Sequence, residues 1–190
     1  MISIIIVVKN EPKIIETIEH ITTIPKPGSI EILVVDASNG KLDFIKDQYP
    51  DVKWIDYKSS NNKKITIPEQ RNLGIRSANG EIIVFIDAGC IPYKTWFQRL
   101  TEMILSDDEK IVNGMIKSMN KNSFHDSIIK QYQNKKYLDE ASTMNLALKR
   151  EVINDIGVFD ENFDYGSDVD WSWRAIDKGY RIRYVPDAIV

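Results

Sequence analysis

Cysteine, histidine and long apolar runs are all scarce in this 190-residue sequence. A single cysteine, Cys90, excludes an internal disulfide framework and points to a reducing compartment. With only His20 and His125 available, a metal site would be built mainly from oxygen ligands, which favours Mg²⁺ or Mn²⁺ over Zn²⁺. The apolar run at the N-terminus, ISIIIVV, is too short to span a bilayer, so no transmembrane segment is expected there. It also lacks the basic flank and small-residue cleavage site of a signal peptide. A formal charge of −3 gives no reason to expect a nucleic-acid partner. Glycine is missing where nucleotide folds often need it. The loop VVKNEPK holds neither G-x-G-x-x-G nor a P-loop, which argues against a dinucleotide oxidoreductase and a P-loop NTPase.

The composition that remains is ordinarily globular, with 43% hydrophobic and 28% charged residues. The length suits one domain, or one domain with an appendage. In the first half, ISIIIVV (2–8), EILVVD (31–36), VKWIDY (52–57) and EIIVFID (81–87) are short and rich in β-branched residues. They are apolar throughout rather than alternating, as strands buried on both faces of a parallel sheet are. KIIETIEHITTI between them puts Ile14, Ile15, Ile18, Ile21 and Ile24 on one helical face. TIPEQRNLGIRSANG reads as a helix with Thr66 as N-cap, Pro68 in the first turn and Gly80 as the stop. The alternation predicts an α/β, doubly wound, mostly parallel sheet with helices on both faces. The second half reads as a helix (WFQRLTEMIL), a strand (KIVNGMI) and a polar region over 118–140 with an amphipathic stretch, SIIKQYQNKKYL. MNLALKREVINDIG then reads as a strand and a helix closed by Gly157. The last segment, from Ser167, reads as a capped helix, a stop at Gly179 and a strand ending at Pro186.

In such sheets ligands bind beyond the carboxyl ends of the strands. Asp36 and Asp87 both sit at strand ends, with Arg71 on the helix between them. A carboxylate can accept from a base N–H or a ribose hydroxyl, and a guanidinium can donate to a carbonyl or phosphate. The plainer alternative stands beside this: Asp36 also opens a turn, DASNG, and Arg71 is compatible with a solvated helix face. In YGSDVDWSWR, Ser167 and Asp170 have the spacing of a capping box, and Asp168 falls in the first turn. Acids are common in first turns, but an ionised carboxylate there can also serve as a general base towards an acceptor hydroxyl. Cys90 has no neighbouring base and reads as a small loop residue. The basic loop KSSNNKK (58–64) reads as solvated, with a diphosphate contact as the alternative, and of Trp171 and Trp173 one is expected in the core and the other at a pocket.

These residues resemble the family 2 glycosyltransferases, which have the GT-A fold, and the resemblance covers nearly the whole chain. SIIIVVKNE, EILVVDAS and EQRNLGIRSANGEIIVFIDAGCIP look like the family's opening strand, second strand and central helix–strand–acidic-loop segment. The segment from TMNLALKREVINDIG to the end looks like its acceptor-side half. The resemblance implies one GT-A domain over 1–190, with a nucleotide-binding half (1–92) and an acceptor-binding half (93–190). It also implies transfer of a hexose-like sugar from a nucleotide-diphosphate-sugar, most commonly a UDP-sugar, to an acceptor hydroxyl with inversion. On it, Asp168 is the catalytic base, Val8, Asp36, Arg71 and Asp87 bind the nucleotide, and Asp87 is the first acid of the D-x-D loop, with Mg²⁺ or Mn²⁺ as cofactor.

The sequence departs from that pattern at two places. Gly89 stands where the second acid of D-x-D is usual, so either Asp87 and waters hold the metal with the diphosphate or catalysis is metal-independent. Ser167 replaces the usual Glu before the base. The chain stops at Val190, before a segment that in many relatives carries a histidine, which suggests either truncation or a short member. No Q-x-x-R-W pattern supports a processive synthase, and no Gly-rich, Arg-containing opening loop supports a sugar nucleotidyltransferase. The alternative to an enzyme is a non-catalytic nucleotide-sugar-binding module or an incomplete glycosyltransferase fragment. A cytoplasmic location, or a peripheral one at the inner face of a membrane, is expected.

Overall fold

The β-branched runs form strands because helices bury them from both sides. The computed structural model describes residues 1–58, 64–118, 132 and 134–190, so most of the basic loop 58–64 and half of the amphipathic stretch 127–138 lie outside the described residues. β1 (Ile2–Val8), β2 (Ile30–Asp36), β3 (Lys53–Asp56) and β4 (Ile82–Ile86) lie parallel in the order β3-β2-β1-β4. Successive strand residues serve opposite faces. Ile4, Ile6, Val34 and Val84 pack in one core with α1 (Ile14–Thr23) and α4 (Trp96–Leu105), and the four-residue α2 (Asp43–Lys46) adds Ile45. Ile5, Leu33, Ile83 and Phe85 pack in the other with α3 (Ile67–Ser77), α5 (Arg150–Ile156) and α6 (Ser167–Asp177).

The second half extends the same sheet. β5 (Ile111–Met115), β6 (Tyr137–Leu138), β7 (Asn145–Lys149) and β8 (Ile182–Ile189) follow in the order β4-β7-β5-β8-β6. β7 runs antiparallel to both its neighbours, so its first residue, Asn145, pairs with Ile86 at the end of β4. The chain entering β7 therefore arrives at the edge that Asp36 and Asp87 occupy.

Three sequence expectations shift. α3 ends at Ser77, not at Gly80, because Ala78 is already extended (φ −84°, ψ 141°). Arg150 covers the exit by donating to the carbonyls of Ile75, Ala78 and Gly80 at 3.3, 2.7 and 2.7 Å. β3 is shorter than 52–57. β8 continues through Pro186 to Ile189: its register with β5 jumps from Gly114–Val185 to Met115–Ile189, and Pro186 falls in the resulting bulge, where its missing N–H costs no ladder bond.

Asn145, fully buried, ties this half together. Its side-chain Oδ1 accepts from Trp96 Nε1 at 2.8 Å, and its Nδ2 donates to the backbone oxygens of Met115 and Ala188 at 2.8 Å each. Asn145→Ala leaves one buried donor and two buried acceptors unpaired, at about 1–3 kcal/mol each. A loss of roughly 3 kcal/mol or more, seen as a lower urea midpoint, is expected.

Candidate active site

α3 carries the first site residue, and its placement begins with its cap. Thr66 and Glu69 form a reciprocal capping box, with Thr66 N donating to Glu69 Oε2 at 2.8 Å and Glu69 N donating to Thr66 Oγ1 at 3.4 Å. Gly74 then lets the helix settle on the sheet: a Cβ there would lie 2.5 Å from Ile5 Cγ2. That close approach puts Arg71, one turn earlier, over the ends of the parallel strands. Its side chain is 8% exposed, and Nη2 lies 3.8 Å from Asp87 Oδ1. The guanidinium also rests on the Phe159 ring, 5.8 Å from its centroid.

Phe159 is held by Asn72, the residue after Arg71. The Phe159 N–H donates to Asn72 Oδ1 at 3.0 Å, and Asn72 Nδ2 donates to the Phe159 carbonyl at 2.8 Å and to Glu161 Oε1 at 2.9 Å. The ring of Phe159 meets Phe85 edge-on at 5.7 Å and Trp171 at 5.8 Å. An aromatic chain thus runs from β4 to α6, and Asp168 stands one turn before Trp171.

Asp168 interacts electrostatically with both Arg71 and Asp87, so the two halves of the chain meet in one charge cluster. Burial pushes the Asp87 carboxyl above the ordinary carboxylate range, Arg71 pulls it back, and the negative charge of Asp168 raises it further. Burial likewise lowers the Arg71 value, against the pull of both acids. The Asp168 carboxylate accepts from the backbone N–H of Thr143 at 3.5 Å and of Val169 at 3.2 Å. The capping box expected from Ser167 and Asp170 does not form. Gly166, at φ +76°, is the N-cap, Ser167 is buried, and Asp170 pairs with Arg174 at 3.0 Å.

The acidic loop is a closed turn. Cys90 N donates to the Asp87 carbonyl at 3.2 Å, and Gly89, third in the turn, has φ +89°, as a type II turn requires. The buried Thr17 hydroxyl holds the turn from α1, accepting from Gly89 N at 2.9 Å and donating to the Cys90 carbonyl at 2.8 Å. Burial pushes the Cys90 thiol up to about 11, which fits its reading as a loop residue rather than a nucleophile.

The predicted residues do not all share one cavity. Val8, Arg71 and Asp87 line a cleft of 300 Å³, together with Lys9 and Gln70. Asp36 instead lines an adjoining recess of 140 Å³ with Asp56 and Lys58, although it is the register partner of Val8. Asp36 Oδ1 accepts from Ser38 N at 2.7 Å, while Oδ2 is buried without a donor among the described residues. Gln70 Oε1 is in the same condition, and the sequence reading missed it. Asp168 borders a third cavity, of 320 Å³. Trp171 is core, and Trp173 is 59% exposed.

Asp87 also bears on metal binding. Among the described residues no group of three or more His, Cys, Asp or Glu converges, so these residues alone offer no complete cation cage. Asp87 is one-third exposed, and with Asp168 and Arg71 it makes a cluster of two carboxylates and one guanidinium. A single carboxylate completed by phosphoryl oxygens and waters fits Mg²⁺ or Mn²⁺.

A mixed, mostly parallel sheet with an acidic turn after β4 and a carboxylate-bearing helix across from it is the GT-A glycosyltransferase fold. The profile described as glycosyl transferase family 2 matches residues 3–160, and the chain belongs to that family. It is 30% identical over 206 residues to glycosyltransferase AglE of Haloferax volcanii, covering 99% of this chain and 65% of that protein. Among solved structures it resembles the mannosyltransferase PcManGT of Pyrobaculum calidifontis in complex with GDP-Man and Mn²⁺ (TM-score 0.77, 19% identity, 99% of this chain and 55% of that one). It also resembles S. aureus TarS 1–349 in complex with UDP-GlcNAc (TM-score 0.76, 18% identity, 98% and 56%). The chain thus spans just under two thirds of the archaeal relative and somewhat more than half of these structures.

The raised Asp87 value carries a sign. The folded state holds this proton more tightly than the unfolded chain, so Asp87 costs stability as pH rises through the ordinary carboxylate range of about 4. The melting temperature of wild type relative to Asp87→Asn is expected to fall between about pH 3.5 and pH 7. A flat difference in paired thermal melts would contradict the assignment.

Proposed function

We propose that this chain transfers a sugar, hexose-like, from a nucleotide-diphosphate-sugar to an acceptor hydroxyl with inversion, and that Asp168 is the general base. The observation that carries this is the charge cluster in which Asp168, from the acceptor half, faces Arg71 and Asp87 from the nucleotide half. Val8, Asp36, Arg71 and Asp87 form the donor side. The two buried acceptors without donors, Asp36 Oδ2 and Gln70 Oε1, suit a ligand that brings N–H and O–H groups, as a nucleoside does. Two solved relatives of this fold are described as complexes with GDP-Man and with UDP-GlcNAc, which supports a sugar-nucleotide donor.

The chemistry follows from charge. As the bond from sugar to diphosphate breaks, the sugar carbon becomes oxocarbenium-like and the leaving group gathers negative charge. Arg71 is a buried cation beside that leaving group, and Lys9 lines the same cleft. The Asp87 carboxylate would hold Mg²⁺ or Mn²⁺, which supplies further charge neutralisation to the diphosphate when bound. Asp168, in the first turn of α6, accepts the acceptor's proton from the opposite side as the new bond forms. The cluster holds two acids against one guanidinium, which disfavours a bare diphosphate and would favour one that carries a divalent ion.

No described helix is long and apolar enough to cross a membrane. We place the chain in the cytoplasm or peripherally at the inner face of a membrane, on the strength of its single cysteine and its nucleotide-sugar chemistry.

Two experiments test this reading. Against a panel of nucleotide sugars with Mn²⁺ or Mg²⁺, Asp168→Asn should lose about a hundredfold or more of transfer rate while its circular dichroism and melting stay close to wild type. A folded Asp168→Asn protein with full activity removes Asp168 as base, and nucleotide binding without turnover under any metal favours a non-catalytic binding module. Thr17→Val removes the hydroxyl that holds the Asp87 turn, whereas Thr17→Ser keeps it. Calorimetry with UDP and Mn²⁺ should show about a tenfold or greater loss for Val and near-wild-type affinity for Ser.

A further inference from the structure

The cavity beside Asp168 is walled by apolar side chains: Met115, Ile116, Met144, Val169 and Tyr184, with Asp168 at its border. At 320 Å³ it lies at the small end of small-molecule sites, enough for one ring or a short chain. Several of the polar side chains along the same wall are already engaged. Asn113 Nδ2 donates to the carbonyls of Ser142 and Asn145 at 2.9 and 2.7 Å, and Ser142 Oγ accepts from Met144 N at 3.3 Å. Glu140 Oε1 accepts from the Tyr132 hydroxyl at 3.3 Å. The long contacts from Thr143 and Val169 N–H leave Asp168 with accepting capacity.

We infer that this cavity takes an acceptor whose reacting hydroxyl lies next to an apolar group, a short alkyl chain or an aromatic ring, and that it discriminates against uniformly polar acceptors. The inference rests on the reading of Asp168 as the base. A ligand that gives one hydroxyl to Asp168 and apolar surface to Met115, Ile116, Met144 and Val169 matches most of the wall. A sugar with hydroxyls on every side would surrender its water to thioethers and aliphatic carbons that offer no hydrogen bonds in return. A hydrophobic wall also sets the form of the selectivity. Each methylene that enters should tighten binding by about fourfold, and the gain should stop when the cavity is full.

The test is binding, so it stands whether or not turnover is found. Ligand-observed NMR on the full chain would measure methyl, propyl, butyl and hexyl β-glucosides and phenyl β-glucoside, each with and without UDP and Mn²⁺. The expected result is a dissociation constant that falls about fourfold per methylene and then levels. Phenyl β-glucoside should bind at least tenfold more tightly than methyl. Met144→Gln, with Val169→Thr as a second variant should the first fail to fold, is expected to flatten this dependence. A wild-type series that is flat from methyl to hexyl and phenyl overturns the inference. So does a slope that survives in both folded variants, because the apolar group then binds elsewhere. A folded Asp168→Asn protein that keeps full transfer activity, with the slope intact, would instead overturn the role given to Asp168 and leave the apolar cavity standing, so the two failures are distinguishable.

Discussion

A guanidinium buried at the ends of parallel strands is the constraint around which this molecule is arranged. Arg71 is nearly inaccessible, and a charge so placed needs partners. Asp87 supplies one through the first half of the chain, Asp168 another through the second, and the face of Phe159 supplies a third. Each depends on a packing decision made elsewhere. Gly74 lets α3 approach β1, Asn72 fixes the loop that carries Phe159, and the stack of Phe85, Phe159 and Trp171 fixes α6. Removing the cation would leave two acids facing each other without a countercharge between them.

The parts of the fold set by local pattern were legible in the sequence. Continuous β-branched runs gave four parallel strands, Thr66 and Pro68 marked the start of α3, and Gly157 closed α5. The acids at strand ends could be located because the end of a buried strand is visible in composition alone. What was not legible is long-range. Asn72 reaches a residue 87 positions away and Thr17 a turn about 72 away, and neither leaves a periodic trace. The separation of Asp36 from the Arg71–Asp87 cleft depends on how loops close beyond β2 and β3, which spacing does not encode. The failed capping box has a simpler cause. Gly166 in a left-handed conformation starts the helix one residue earlier than Ser167 could, and Arg174 then claims Asp170.

The acidic turn shows how one residue can constrain chemistry and backbone together. Gly89 looked like a missing ligand. In the fold it occupies a conformation that side-chain-bearing residues rarely adopt, stitched on both sides to Thr17. The absent acid and the tight turn are therefore one feature: the loop presents a single carboxylate at its start and spends the rest of its length on holding still.

The reversal of β7 has a consequence for how such a scaffold can diversify. In an all-parallel sheet only segments leaving strands reach the ligand edge, and each is tethered to the helix that follows it. Here a segment that enters a strand, residues 139–144, arrives at that edge as well, while the hydrogen-bonding ladder of β7 begins only at Asn145. Substitutions or length changes in this stretch can remodel the wall beside Asp168 upstream of the ladder while the strands β1 to β4 keep their shape.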